Sequence, residues 1–272
     1  MPNVKLILSD IDGTIMPKGV PSVSQATVDA FLAAQAAGIA AGPASGRAAV
    51  QMLPFFRGEQ ACISTAVATN GLEAYYQGEK ICEQHPDRAA LRRVMRLVGE
   101  IPGAGLVCFH ETAPVLVAGS MEDLAAVVPK YAEKATTADD LPDYPLLKVN
   151  AFINADMGGT HAFCDRLNAE IEGLDFDVPM LGFTNIMPEG WNKGSAAKAL
   201  CEHMGIGLDE VVVFGDADND LAMFSVVENS VAVEGASPNA RKLARWHIGR
   251  CEDDAVAKAI VAIAAGEWPF SE

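Results

Sequence analysis

Two aspartates in the stretch Asp10-Ile11-Asp12-Gly13-Thr14 are the side chains of this chain best placed to do chemistry. They follow the apolar run Val4-Lys5-Leu6-Ile7-Leu8-Ser9, which reads as a buried strand of a parallel sheet. Both carboxylates would then leave the carboxyl end of a strand, the edge at which open α/β sheets bind ligands. A second acidic turn, Gly215-Asp216-Ala217-Asp218-Asn219-Asp220, follows a second buried run over 210–214. Ser45-Gly46-Arg47 offers a small hydroxyl, a flexible backbone and a guanidinium. A helix beginning near Ala48 would aim free N–H groups at an anion beside Ser45. The formal net charge of −16 makes local compensation necessary if the bound molecule is anionic, and a divalent cation is the simplest source.

The elements that must hold these residues can be read from composition and pattern. The chain has 272 residues, half of them hydrophobic and 21% charged, which suits a large core and about two domains. Ser22 or Ser24 can cap a helix through Val28, Phe31 and Leu32 that stops at Gly38. The segment 38–44 takes the place of a second strand, although Pro43 cannot donate to a ladder. Short strands or hairpins are expected around Cys62-Ile63, 66–69, 72–76 and 80–82, punctuated by Asn70-Gly71 and Gln77-Gly78. Beyond residue 187 the parallel-sheet pattern returns, with a helix opened by Lys193-Gly194, a strand over 230–233 and a last helix over about 255–265.

The segment 84–186 has a different texture. Pro86 suits a first helical turn, and Leu91, Val94, Met95 and Val98 follow at helical spacing. Strands over 106–110 and 115–118, a helix over about 121–134, a strand over 147–153, a helix over about 160–171 and two short strands near 176–181 and 183–187 complete an α-β-β-α-β-α-β-β order. Strands adjacent in sequence make this an α+β unit with an antiparallel sheet, inserted into the first domain.

Four short motifs, Asp10-Ile11-Asp12-Gly13-Thr14, Ser45-Gly46-Arg47, Lys193-Gly194 and Gly215-Asp216-Ala217-Asp218-Asn219-Asp220, occur in that order at strand ends or helix starts. Together the set resembles the haloacid dehalogenase-like (HAD) hydrolase superfamily, and the position of the insert resembles the Cof-type subfamily with a class IIB cap. The resemblance implies an α/β fold with a doubly wound Rossmann-like core, 1–83 and 187–272, and an α+β cap, 84–186, that closes over the active site and sets substrate specificity. It implies a Mg²⁺-dependent phosphatase of small phosphorylated metabolites, sugar phosphates foremost. Asp10 would attack phosphorus to form an aspartyl-phosphate. Asp12 would protonate the leaving alcohol and then deprotonate water, which requires a raised pKa. Lys193 would bridge nucleophile and phosphate. Gly13, Thr14, Ser45, Gly46, Arg47 and Asn219 would bind or order the phosphate, with Thr14 helping to orient Asp12. Mg²⁺ would be held by Asp10, the Asp12 carbonyl, Asp216 and Asp220. Asp218 is expected to be a solvated loop carboxylate. Arg47 and Asn70 stand open between binding contacts and turn residues.

Pro43 and Ala44 replace the β-branched residues usual before Ser-Gly-Arg in that family, and the insert carries one α-β unit fewer than its longer caps. Two other readings use the same residues: a phosphomannomutase-like phosphosugar mutase, and a non-catalytic phosphometabolite-binding protein. The partner expected is a small phosphate ester. Nucleic acid is disfavoured by the acidic balance, and no apolar run approaches the ~20 residues that span a bilayer. The six cysteines have no CxxC spacing and read as free thiols. His85, His110, His161, His203 and His247 show no mutual ligand spacing. The arginines at 88, 92, 93 and 96 read as a solvated helix face. With no signal-peptide series at the N-terminus, a cytoplasmic monomer or homodimer is expected.

Overall fold

The computed structural model describes residues 3–270, which divide into two compact units, one formed by 3–83 with 192–270 and the other by Gln84–Trp191. In the first unit five parallel strands lie in the order Trp246–Arg250, Asn229–Glu234, Val211–Gly215, Leu6–Ser9, Ala40–Pro43. The strands Leu6–Ser9 and Val211–Gly215 are buried along their whole length, as apolar strands covered on both faces must be. Their side chains alternate between two cores: Ile7, Val212 and Phe214 pack on one face, and Leu6, Leu8, Val211 and Val213 on the other. Helix Gln25–Ala36 is capped by Ser24, whose hydroxyl accepts from the Thr27 N–H at 3.0 Å.

Pro43 is tolerated because Ala40–Pro43 is the edge strand of this sheet and pairs only with Leu6–Ser9. Propensity misleads here for a second reason. A Cβ on Gly42 would lie 1.5 Å from the Thr65 carbonyl oxygen, so the approach of the neighbouring strand Ala66–Ala68 excludes any larger residue. The strand Trp246–Arg250 escapes the sequence reading, since Gly249 and a charged end blur its alternation. Gln60–Ile63 is a 3₁₀ turn where a strand is expected at Cys62-Ile63. Strands Ala66–Ala68, Glu73–Tyr76 and Glu79–Glu83 form a small antiparallel sheet, with Gln77 and Gly78 both at positive φ in the last hairpin.

The second unit is built on a six-stranded sheet in the order Leu174–Met180, Phe183–Pro188, Val149–Ile153, Ala104–His110, Ala113–Ala118, Thr136–Thr137. All of its pairings are antiparallel except the last. The unit runs to Trp191 and does not stop at 186, because Phe183–Pro188 is hydrogen-bonded between two strands of this sheet. The helix expected over 121–134 is two pieces, Met121–Val127 and Pro129–Ala132, since Pro129 has no N–H to continue the ladder and disfavours helical backbone at Val128. The basic face of helix Arg88–Gly99 is not simply solvated. Arg88 donates to the carbonyls of Leu141, Pro142 and Tyr144, Arg92 pairs with Asp140, and Arg93 donates to the Glu172 carbonyl. All six cysteines are free, and among the described residues no helix is long and apolar enough to cross a membrane.

Substituting Gly42→Ala tests the strand contact. Forcing a methyl into the Thr65 backbone is expected to destabilise the protein by about 3 kcal/mol or more, seen as a fall in Tm, whereas Ala41→Gly at the neighbouring position should cost about 1 kcal/mol. Equal effects would remove the close approach as the reason for glycine.

Candidate active site

Register brings three turns to one place. Ser9 pairs with Phe214 on one side and Pro43 on the other, so the chains after these three strands leave the sheet at the same level. The Asp10 N–H donates to the Phe214 carbonyl at 2.9 Å, and the Ala44 N–H to the Ser9 carbonyl at 2.7 Å. Asp10, Ser45 and Asp216 therefore emerge side by side at the carboxyl edge of a parallel sheet.

Lys193 completes the centre. It occupies the first turn of helix Lys193–Met204, whose N-cap Asn192 accepts from the Gly194 and Ser195 N–H groups. A cation is disfavoured at that end by the helix dipole, yet Lys193 is 1% exposed. Its Nζ donates to Asp10 Oδ1 and to Asp220 Oδ1, each at 2.7 Å. Burial alone would lower the lysine pKa; the two carboxylates overcome that and raise it, so the ammonium is held charged. Asp10 moves the other way. Burial raises its carboxyl from 3.8 to about 7 against the pull of Lys193, with Asp220 and Asp216 adding to the rise.

Asp220 is fully buried and its second oxygen accepts from the Asp216 and Ala217 N–H groups at 3.0 and 3.1 Å. It anchors both the lysine and its own loop. Thr14 donates to Asp216 Oδ1 at 2.8 Å, so it orients that carboxylate and not Asp12. Burial raises the Asp216 pKa, with the Thr14 hydrogen bond opposing. Gly13 has φ +95°, and a Cβ there would lie 2.5 Å from Asp216 Oδ2. Its N–H is committed to the Met16 carbonyl, so glycine here admits the Asp216 side chain, and its N–H is not directed at a phosphate. Asp10, Asp216 and Asp220 each offer a carboxylate oxygen, all within 4.8 Å of one another. Three carboxylates against one ammonium leave two formal negative charges, and the donors are hard oxygens. That set fits a divalent cation such as Mg²⁺.

Asp12 lies apart from this centre. Arg47 grips it through Nε to Oδ2 at 2.7 Å and Nη2 to Oδ1 at 2.6 Å, with the guanidinium 4.2 Å over the Phe55 ring. Ser45 is buried and its Oγ accepts from the Arg47 N–H at 3.3 Å. The helix expected to start near Ala48 does begin at Ala49 but runs only to Met52. Asn219 donates to Asn70 Oδ1 at 3.4 Å, which ties the acidic loop to the turn after Ala66–Ala68. Asp218 is exposed as expected, and it accepts from Ser237 and Asn239, tethering the loop from outside. Asn70, like Arg47, is a residue the sequence left open. Its Asn-Gly dipeptide signals a turn, but only the fold shows which loops that turn touches.

The family model for haloacid dehalogenase-like hydrolases matches residues 7–260. A Mycoplasma pneumoniae protein, whose name gives it phosphatase activity provisionally, is 26% identical over 285 residues, spanning 94% of this chain and 96% of its own length. Two solved structures share the fold at 19% identity. One is BT1666 of Bacteroides thetaiotaomicron, described among phosphatases of the HAD superfamily, with a TM-score of 0.81 and 94% of both chains covered. The other is BT4131, described as a HAD subclass IIB sugar phosphatase, with a TM-score of 0.80 over 96% of this chain and 99% of its own.

The raised pKa of Asp10 links stability to pH. The native chain keeps a proton that the unfolded chain releases, so this contribution is complete below pH 3.8 and is lost as pH climbs through about 7. In the presence of chelator, Asp10→Asn removes the loss. Its Tm relative to wild type is expected to increase steadily from about pH 4 to about pH 7; a difference independent of pH would refute the burial of an ionisable Asp10.

Proposed function

The chain belongs to the haloacid dehalogenase-like hydrolases, and we propose that it is a Mg²⁺-dependent phosphatase of small phosphorylated metabolites, with sugar phosphates the substrate class. The observation that carries this reading is Lys193, buried and clamped between Asp10 and Asp220 with Asp216 alongside. A carboxylate nucleophile must approach a dianionic phosphoryl group, and this arrangement sets a fixed cation at the point of approach. Mg²⁺, held by Asp10, Asp216, Asp220 and the Asp12 carbonyl, would supply the remaining charge neutralisation.

The steps then follow from the chain's own groups. A carboxylate oxygen of Asp10 attacks phosphorus, the ester P–O bond breaks, and Lys193 steadies the charge on the transferring group. The Ser45 hydroxyl, the Gly46 N–H and Asn219 hold phosphoryl oxygens. Asp12 gives its proton to the departing alkoxide. It then takes a proton from water, which cleaves the aspartyl-phosphate and releases inorganic phosphate. Since Arg47 occupies both Asp12 oxygens, that fork must open before Asp12 can act. The unit Gln84–Trp191 is assigned the part of a cap that governs substrate choice and water exclusion. The protein is taken to be a cytoplasmic monomer or homodimer. The sugar phosphatase described for BT4131 supports the substrate class, on fold alone.

Asp10→Asn is expected to cut phosphate release at least about a thousandfold while leaving the circular dichroism spectrum near wild type; near-normal turnover would remove Asp10 as nucleophile. Exhaustive chelation should abolish activity and added Mg²⁺ restore it. A phosphate-release screen across sugar phosphates, nucleotides and pyridoxal phosphate, with product analysis, separates hydrolysis from a mutase, which would return an isomerised ester and little inorganic phosphate.

A further inference from the structure

The turn Thr69-Asn70-Gly71 holds three consecutive residues at positive φ, 51°, 55° and 107°. For a β-branched threonine this is a costly conformation that survives only where the surroundings impose it. Those surroundings are the loops of the active site. The Thr69 N–H donates to the Arg47 carbonyl at 2.9 Å and the Asn70 N–H to the Ser45 carbonyl at 3.0 Å. A Cβ on Gly46 would lie 2.9 Å from Asn70 Oδ1, and one on Gly71 would lie 2.4 Å from the Asn192 carbonyl beside Lys193. Asn70 Oδ1 accepts from Asn219. Behind the turn stands Glu73, 4% exposed, which accepts from Thr69 Oγ1 at 3.3 Å and Tyr75 Oη at 2.7 Å and pairs with Lys80 at 2.9 Å.

We infer that Asn70 is a positioning residue of the phosphate site: its side-chain oxygen fixes Asn219 against the Ser45-Gly46 turn, so that hydroxyl, backbone N–H and amide face one anion. The buried Glu73 and its three donors are the strut that keeps the strained turn in place. Neither Asn70 nor Glu73 need touch the reacting atoms. The inference rests on the phosphatase reading, because it takes the anion at Ser45 and Asn219 to be a phosphoryl group.

Asn70→Gly separates side chain from backbone, since glycine accepts the same positive φ without strain. It should raise KM and the inhibition constant for inorganic phosphate about tenfold with Tm held. A residue important only to the fold would move Tm and leave phosphate inhibition alone. Asn70→Asp keeps the oxygen that accepts from Asn219 but sets a negative charge beside the anion, and should lose more. The pair Asn70→Gly and Asn219→Ala should be no worse together than the worse single change. Unchanged phosphate inhibition in Asn70→Gly, or losses that multiply in the double variant, would overturn the inference. Calorimetric binding of inorganic phosphate with Mg²⁺ keeps the two readings apart: a wild type that binds phosphate and hydrolyses no ester defeats the phosphatase reading, while the phosphate affinities of the variants still test Asn70.

Discussion

A lysine ammonium buried between two carboxylates is the constraint on which this structure turns. Removing three charges from water is tolerable only if each finds close, well-aligned partners. Lys193 finds Asp10 and Asp220, and Asp220 finds two backbone N–H groups of its own loop. The cluster therefore fixes the position of helix Lys193–Met204, of the turn after Leu6–Ser9 and of the loop after Val211–Gly215 relative to one another. It does so against a local preference, because the start of a helix repels a cation.

Crowding around that cluster explains much of the odd local sequence. Gly13 is required by the carboxylate of Asp216 and Gly42 by the carbonyl of Thr65. The strained turn at Thr69 is pinned by hydrogen bonds to the chain at Ser45 and Arg47. At the carboxyl edge of the parallel sheet, backbone and acidic groups approach closely. Local preference and tertiary structure agree in the Ser24-capped helix and in the fully apolar inner strands.

The contrast between a parallel core sheet and an antiparallel sheet in the insert was legible because its signals are intrinsic to the chain. Continuous apolar runs marked the parallel strands, and strands adjacent in sequence marked the antiparallel sheet. Signals that depend on neighbours were lost. The strand Trp246–Arg250 becomes a strand by lying beside Asn229–Glu234, and the two-residue strand Thr136–Thr137 exists only as a partner of Ala113–Ala118. The arginines of helix Arg88–Gly99 looked solvated because the acceptors of Arg88 and Arg93 are carbonyls 50 or more residues away, and that of Arg92 is the distant carboxylate of Asp140.

By itself the sequence determined the kinds of group available: paired aspartates on a turn, a serine and arginine beside a helix start, a lysine at another, and a second acidic turn. Residue type and position relative to strand ends are local properties, so they are written in the chain. Only the tertiary structure decided who partners whom. It gave Thr14 to Asp216, Arg47 to Asp12 and Asn219 to Asn70, because hydrogen-bond partners separated by tens or hundreds of residues are chosen by sheet order and register. It also set Asp10 and Asp12 in unlike surroundings, one buried against an ammonium and the other at the surface in a guanidinium fork. Two residues of separation cannot specify that difference; the packing of the sheet edge does.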